Sequence, residues 1–301
     1  MMKIGIIGAG VVGTATGKGL SKLGHEVTFY DILKKKMLTL KQEGYQVCSS
    51  IKDIILNTDI SFVCVNTPTN KDGQQDLSQV MSVLDMVTDV LNTTAGNRHR
   101  LIVFRSTTLP GTMKNVIIPY LEKNCSLERG RDYNICNNPE FLRISTSLDD
   151  FLNPDRVVIG EDKKGASYSS SLPLKQIYKQ LTDKIVITDY DTAEMIKYAS
   201  NCFLSLKISF FNEIGLICKE LGIDDRQTSL AVSLDKRIGK YGTEAGRPFS
   251  GMCLPKDTQA FSNFVKGLKM KSDLLRVILD INQKVEELTK REQIINEIGS
   301  R

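Results

Sequence analysis

The chain has 301 residues, 41% apolar and 25% charged, with no Trp and a formal net charge of +5. That length accommodates two domains or one large one with a substantial core. Both charge signs are interspersed, which reads as a solvated surface with only a mild pull on anionic ligands. No basic run with interleaved aromatics points to nucleic acid. The seven cysteines form no Cys-x-x-Cys pair, and only His25 and His99 are available to a His-rich metal site, so no metal is expected. An odd number of thiols at irregular spacing suits a reducing cytoplasm. The apolar N-terminal stretch is broken by glycines and too short to span a bilayer, so no membrane association is expected.

Residues 3–8 predict a strand, followed by Gly8-Ala9-Gly10-Val11-Val12-Gly13 and a helical pattern to Leu23. Residues 26–31 predict a second strand, and 61–66, 101–105 and 133–136 further short buried ones. Helical stretches at 77–91 and 113–124 lie between them, and 157–160 and 185–188 are late strand candidates. Alternation of strand and helix predicts a doubly wound parallel sheet, the Rossmann architecture. After Asp191 the texture changes. Residues 192–221 read as one long helix, with Met195, Tyr198, Ala199, Phe203, Leu206, Phe210 and Ile214 at three- and four-residue steps. Helices at 225–233, 257–265 and 272–297 follow, the last roughly 39 Å long at about 1.5 Å per residue. The expected organisation is α/β, with a Rossmann domain over 1–190 and an all-helical domain over 191–301 ending in a long helix.

A Gly-x-Gly-x-x-Gly run alone is weak evidence. Here it follows a strand, opens a helix, and is joined by Asp31 at the end of the next strand, 21 residues after Gly10. Gly8 permits the tight turn, Gly10 lets the backbone approach a pyrophosphate, and Gly13 lets helix and strand pack closely. Amides at the helix start, those of Val11 and Val12 included, then bind the phosphates. Asp31 accepts hydrogen bonds from a ribose and repels a 2′-phosphate, so the expected cofactor is NAD. The lysines that follow read as solvated residues at a helix start, with Lys36 kept as a cofactor-side candidate. Asn66, Thr67 and Pro68, and then Ser106 and Thr107, end strands in loops at the sheet's C-terminal edge, where cofactors sit.

Two further segments carry unusual residue choices. Asn137-Asn138-Pro139-Glu140-Phe141-Leu142 follows a strand, and Phe249-Ser250-Gly251-Met252-Cys253-Leu254-Pro255-Lys256-Asp257 puts a cysteine in a glycine-bearing loop before a helix. A thiol there feels the helix N-terminus and Lys256, both of which favour thiolate. Together with Arg105-Ser106-Thr107-Thr108-Leu109-Pro110-Gly111-Thr112, these motifs resemble the UDP-glucose/GDP-mannose dehydrogenase family across nearly the whole chain and in the family's order.

The resemblance implies oxidation of a nucleotide sugar's primary alcohol to a carboxylic acid in two NAD-dependent steps, through an enzyme-bound thiohemiacetal and thioester. It makes Cys253 the nucleophile, with Lys197 and Asn201 holding the reacting oxygen from one helix face. Asp257 is implied to cooperate with this lysine, Glu140 to act in thioester hydrolysis, and Thr107 to lie near the catalytic water. Phe141, Leu142, Arg143, Arg237 and Gly251 join Glu140, Lys197 and Asn201 as substrate-side candidates. A homodimer through the helical domain is implied as well.

The sequence also departs from the family pattern. Ile144 and Ser145 replace a Glu-Gly pair, and Pro248 and Ser250 stand where glycines are usual. The chain stops at the long helix, where family members continue into a second α/β domain that grips the nucleotide; a partner chain supplying that domain is one expectation. Two other readings stay open: a two-electron hydroxyacid-type dehydrogenase, and a catalytically weak NAD-binding subunit.

Overall fold

A computed structural model describes residues 1–70, 72–93, 100–162, 170–251, 253–268, 270 and 273–299. His99 and Met252, and the first residue of the predicted last helix, Ser272, lie outside the described residues. The chain divides into two compact units, Met1–Pro68 with Gln75–Lys197, and Thr69–Gln74 with Tyr198–Arg301.

The first unit begins with β1 (Lys3–Ile7), α1 (Val11–Lys22), β2 (Glu26–Tyr30), α2 (Lys34–Gln42) and β3 (Gln46–Val47). It continues with α3 (Ile51–Asn57), β4 (Ile60–Val63), α4 (Ser78–Thr93), β5 (Arg100–Phe104) and α5 (Ile118–Asn124), the last preceded by a π-helical turn at Met113–Ile117. Then come β6 (Tyr133–Asn137), α6 (Ser147–Leu152), β7 (Val157–Gly160), α7 (Leu172–Tyr178) and β8 (Ile185–Thr188). The sheet has eight strands in the order β3-β2-β1-β4-β5-β6-β7-β8.

Successive side chains of a strand point to opposite faces, and here both faces are buried. Ile102 and Phe104 of β5 join a core with α3, α4 and α5, while Leu101 and Val103 join a second core with Leu20 of α1 and Leu174 of α7. This explains why these strands read as unbroken apolar runs, as expected when helices cover both faces.

One pairing departs from the all-parallel expectation: β6 and β7 are antiparallel. A parallel crossover needs a dozen or more residues with a helix that carries the chain back along the sheet. The link after β6 holds a 3-10 turn (Ile144–Thr146) and the six-residue α6, too short to carry the chain back along the sheet; α6 packs against α1 through Phe151, as the close approach of that ring to Gly19 records. α2 begins at Lys34, at the helix start read from its lysines, whereas the short, weakly periodic β3, α3, α6 and α7 carry no clear signature, although Ser50 does cap α3 by accepting from the Asp53 amide at 3.1 Å.

α8 (Tyr190–Leu221) is one continuous helix that runs from the first unit into the second. The second unit adds α9 (Asp225–Ser233), α10 (Leu254–Gly267) and α11 (Asp273–Gly299). Its core gathers Cys202, Phe249, Leu275 and Ile278, with the rings of Tyr198 and Phe261 stacked at 5.4 Å. Among the described residues α8 is the helix long and apolar enough to cross a membrane. Yet Asn201, Ser205, Ser209 and Asn212 form a buried polar stripe along it, and each finds partners within its own unit.

Candidate functional site

Strand order reverses beside β1, and the turn after β1 lies at this switch point, where open α/β sheets bind ligands. Gly8 has φ +98°, and a Cβ on it would meet the Cys64 carbonyl oxygen at 2.8 Å. A Cβ on Gly13 would collide with the Gly8 carbonyl, whereas one on Gly10 would meet nothing within 4 Å. Gly8 and Gly13 are thus required by turn and packing, and Gly10 faces open space. No side chain caps α1 and no acidic residue occupies its first turn, so the first-turn amides of Val11, Val12 and Gly13 and the positive helix end remain for an anion.

Asp31 ends this crevice. Its carboxylate accepts from the Ala9 and Leu33 amides, each at 2.8 Å, and from Lys36 Nζ at 2.9 Å. Against the opposing effect of burial, these bonds hold its carboxyl below the usual range. A carboxylate has about four acceptor sites, so a ribose hydroxyl can still be received. Lys36, its side chain 37% exposed, is also the partner of Asp31 and does part of the charge balancing there. The bare helix start, the open space at Gly10 and the ionised Asp31 fit NAD.

The two loops at the sheet edge are stapled together. Thr67 Oγ1 donates to the Thr107 carbonyl at 2.6 Å, Gln75 Nε2 donates to the same oxygen at 2.9 Å, and Ser106 Oγ donates to Val65 O at 2.7 Å. The hydroxyl protons of Thr67 and Ser106 are thus used inside the protein, leaving their lone pairs as acceptors. Asn66 and Pro68 are exposed beside them.

At the end of β6 the buried Glu140 meets the buried Lys197 of α8. Lys197 Nζ donates to Glu140 Oε1 at 2.7 Å and to its carbonyl at 2.8 Å, and Glu140 Oε2 accepts from the Leu142 amide at 2.6 Å. Burial opposes ionisation, but the Lys197 cation and these hydrogen bonds hold the Glu140 carboxyl below its ordinary value. Arg156 lies 3.8 Å from the centre of the Phe141 ring, and Lys197 5.6 Å from it. Arg143 sits apart, exposed and paired with Asp150.

Two buried groups in this unit were not foreseen. Arg105 Nη1 donates to Asn138 Oδ1 at 2.6 Å. Glu194, three residues before Lys197, accepts from Thr108 Oγ1 and the Gly111 amide at 2.8 Å and from the Met113 amide at 3.0 Å. Its carboxyl group thereby closes the turn in Leu109-Pro110-Gly111-Thr112. The available signal was its i, i+3 spacing to Lys197, which puts both on one helix face.

In the second unit Cys253 is the N-cap residue of α10, makes no side-chain cap bond, and is half-buried. Asp257, one turn later, is buried and accepts from Asn201 Nδ2 and from Lys256 Nζ, each at 2.6 Å. Lys256 is thus engaged by Asp257, which tempers the expectation that it serves the thiol. Gly251, at φ +81°, turns the chain ahead of the cysteine. Arg237 pairs only with its near neighbour Asp235 among the described contacts, and its side chain is 89% exposed.

A doubly wound sheet with a dinucleotide crevice, joined by a long helix to a helical unit, defines a Rossmann-type dehydrogenase class. Residues 41–182 match the UDP-glucose/GDP-mannose dehydrogenase family's NAD binding domain, and residues 191–284 match its central domain. The UDP-glucose 6-dehydrogenase of Rickettsia bellii is 37% identical over 94% of this chain and 67% of its own length. The GDP-mannose 6-dehydrogenase of Pseudomonas syringae is 36% identical over 93% of this chain and 68% of its own length. The solved UDP-glucose dehydrogenase of Pyrobaculum islandicum superposes with a TM-score of 0.84 at 32% identity, covering 94% of this chain and 68% of that one.

The chain belongs to the UDP-glucose/GDP-mannose dehydrogenase family. By that membership it is an NAD-dependent oxidoreductase, and it spans about two thirds of the length of the relatives it matches.

Proposed function

We propose that this chain oxidises the primary alcohol of a nucleotide sugar to the uronic acid, using Cys253 as nucleophile. The observation that carries the reading is the Cys253 thiol at the head of α10, with Asp257 one turn later held by Asn201 and Lys256. The helix N-terminus favours thiolate. NAD, held by the Gly8–Gly13 turn, the start of α1, Asp31 and Lys36, with the Asn66–Pro68 and Ser106–Thr107 loops beside it, supplies the two-electron acceptor for each oxidation. The first oxidation converts alcohol to aldehyde. The Cys253 sulfur adds to the aldehyde carbon to give a thiohemiacetal, and the second oxidation makes this a thioester. Water then cleaves the C–S bond, giving the carboxylic acid and restoring the thiol.

In this scheme Lys197 and Asn201 hold the oxygen on which charge develops, and Asp257 relays the proton. Glu140, kept ionised by Lys197, accepts a proton from the hydrolytic water, with Thr107 near that water. Phe141, Leu142, Arg143, Arg237 and Gly251 are assigned to the substrate. The sugar and its nucleotide stay unassigned, because UDP-glucose and GDP-mannose enzymes are similar to the chain to nearly the same degree. We assign residues 1–190 to NAD and 191–301 to dimerisation, and place the protein in the cytoplasm, where its free thiols and NAD belong.

The test is incubation with NAD and a panel of UDP- and GDP-sugars. Two NADH per sugar oxidised are expected, and loss of acid formation in Cys253→Ala. One NADH per substrate, with turnover unchanged in that variant, overturns the covalent route in favour of a two-electron dehydrogenase.

A further inference from the structure

We propose that Asn212 of α8 and Asn282 of α11 are positioning residues that set the Cys253 thiol by clamping the backbone leading to it. This rests on the reading of Cys253 as the nucleophile. Residues 246–249 are neither helix nor strand, so their polar backbone groups need other partners. Asn212 Oδ1 accepts from the Gly246 amide and its Nδ2 donates to the Arg247 carbonyl, both at 2.8 Å. Asn282 Oδ1 accepts from the Phe249 amide at 2.7 Å, and its Nδ2 donates to the Phe249 carbonyl at 3.1 Å.

Both asparagines are buried, and burying an amide is favourable only when its ends are satisfied. Each here uses its oxygen as acceptor and its nitrogen as donor on the same short stretch, much as a neighbouring strand would. Between the two clamps the Phe249 ring packs into the core beside Cys202, Leu275 and Ile278. Two helices and a buried ring therefore anchor the chain four residues before Cys253. The exposed Gly246, at φ +89°, gives the segment its turn, while Pro248 and Ser250 occupy positions of lower backbone freedom than glycine would. Covalent addition demands placement within a fraction of an ångström, and a misplacement of about 1 Å costs about a hundredfold in rate.

The test compares the full chain with its Asn212→Ser and Asn282→Ser variants, whose shorter side chains cannot span both backbone groups. The first readout is the rate of iodoacetamide alkylation of Cys253 against pH, followed by peptide mass spectrometry. The half-buried Cys48 and Cys125 of the first unit serve as internal standards. The second is NADH formation on the sugar panel.

A change of about tenfold or more in the Cys253 profile is expected, with the standards unmoved, and a fall of about a hundredfold in kcat at unchanged KM for NAD. A Cys253 profile identical to wild type in both variants overturns the proposal. So does loss of far-ultraviolet circular dichroism in both, because that marks the clamps as general supports of the fold. If Cys253→Ala keeps full activity, the nucleophile reading fails by itself, and alkylation still decides whether the clamps set the thiol.

Discussion

Two buried carboxylates one α8 turn apart in their contacts behave oppositely. Glu140 meets a cation, and its carboxyl is held low; Glu194 meets only neutral donors, and burial pushes its carboxyl up to about 7. The folded state therefore keeps a proton on Glu194 between its ordinary value of 4.5 and about 7. That contribution to stability is complete below the lower value and is lost as pH rises through the upper one. The expected loss is on the order of 3 kcal/mol, since one unit is about 1.4 kcal/mol. Thermal melts at a series of pH values should show it as a falling Tm. In Glu194→Gln, which has no proton to lose, the fall between pH 4.5 and about 7 should flatten; an equal slope in both proteins over that window refutes the assignment. Residues carrying a motif were legible in the chain, but partners were not. Lys36 read as a lysine at a helix start and a cofactor-side candidate; its pairing with Asp31 depends on where two elements end, which no local spacing encodes.

At the scale of elements, the start of α1 depends on the absence of a single methyl group. A Cβ on Gly13 would collide with the Gly8 carbonyl and also come within 3.2 Å of Cys64 Cβ. Gly13→Ala must push α1 away from β1 and tilt the amides that receive the pyrophosphate. Overpacking of this kind costs about 1–3 kcal/mol, and NAD affinity by calorimetry should fall at least tenfold; unchanged affinity would show that the crevice has slack. Strands β7 and β8 match their predicted spans residue for residue, since short apolar runs bounded by turn residues leave little choice of boundary, and so does helix α9, whose start is fixed by the Asp224 side chain accepting from the Arg226 and Gln227 amides. α10 begins three residues earlier than its expected start at Asp257. Pro255 is the reason: it reads as a breaker in sequence but suits the first turn of a helix, where its missing N–H is no loss.

For the molecule as a whole, α8 carries apolar side chains that stay exposed. Phe203 and Leu221 of α8 are 62% and 65% exposed, with Phe210 and Ile217 exposed between them. The heptad step from Phe203 to Phe210 to Ile217 puts these side chains on one face. A second copy of the chain is the proposed cover. Sedimentation velocity should give a dimer for the wild type and a monomer for Phe210→Asp, and a monomeric wild type sinks the assignment. The sequence by itself determined the class of fold, the cofactor crevice and the order of the motifs. Short unbroken apolar runs, glycines at obligatory turns and an acid after the second strand are local constraints, written within a few residues of one another. Only the tertiary structure decided that β7 runs antiparallel, that Lys197 pairs with Glu140 while Asp257 takes Asn201 and Lys256, and that two asparagines far apart in sequence hold the approach to Cys253. Those are choices among buried polar groups that must each find a partner, and the partner is whatever the packed elements bring within about 3 Å.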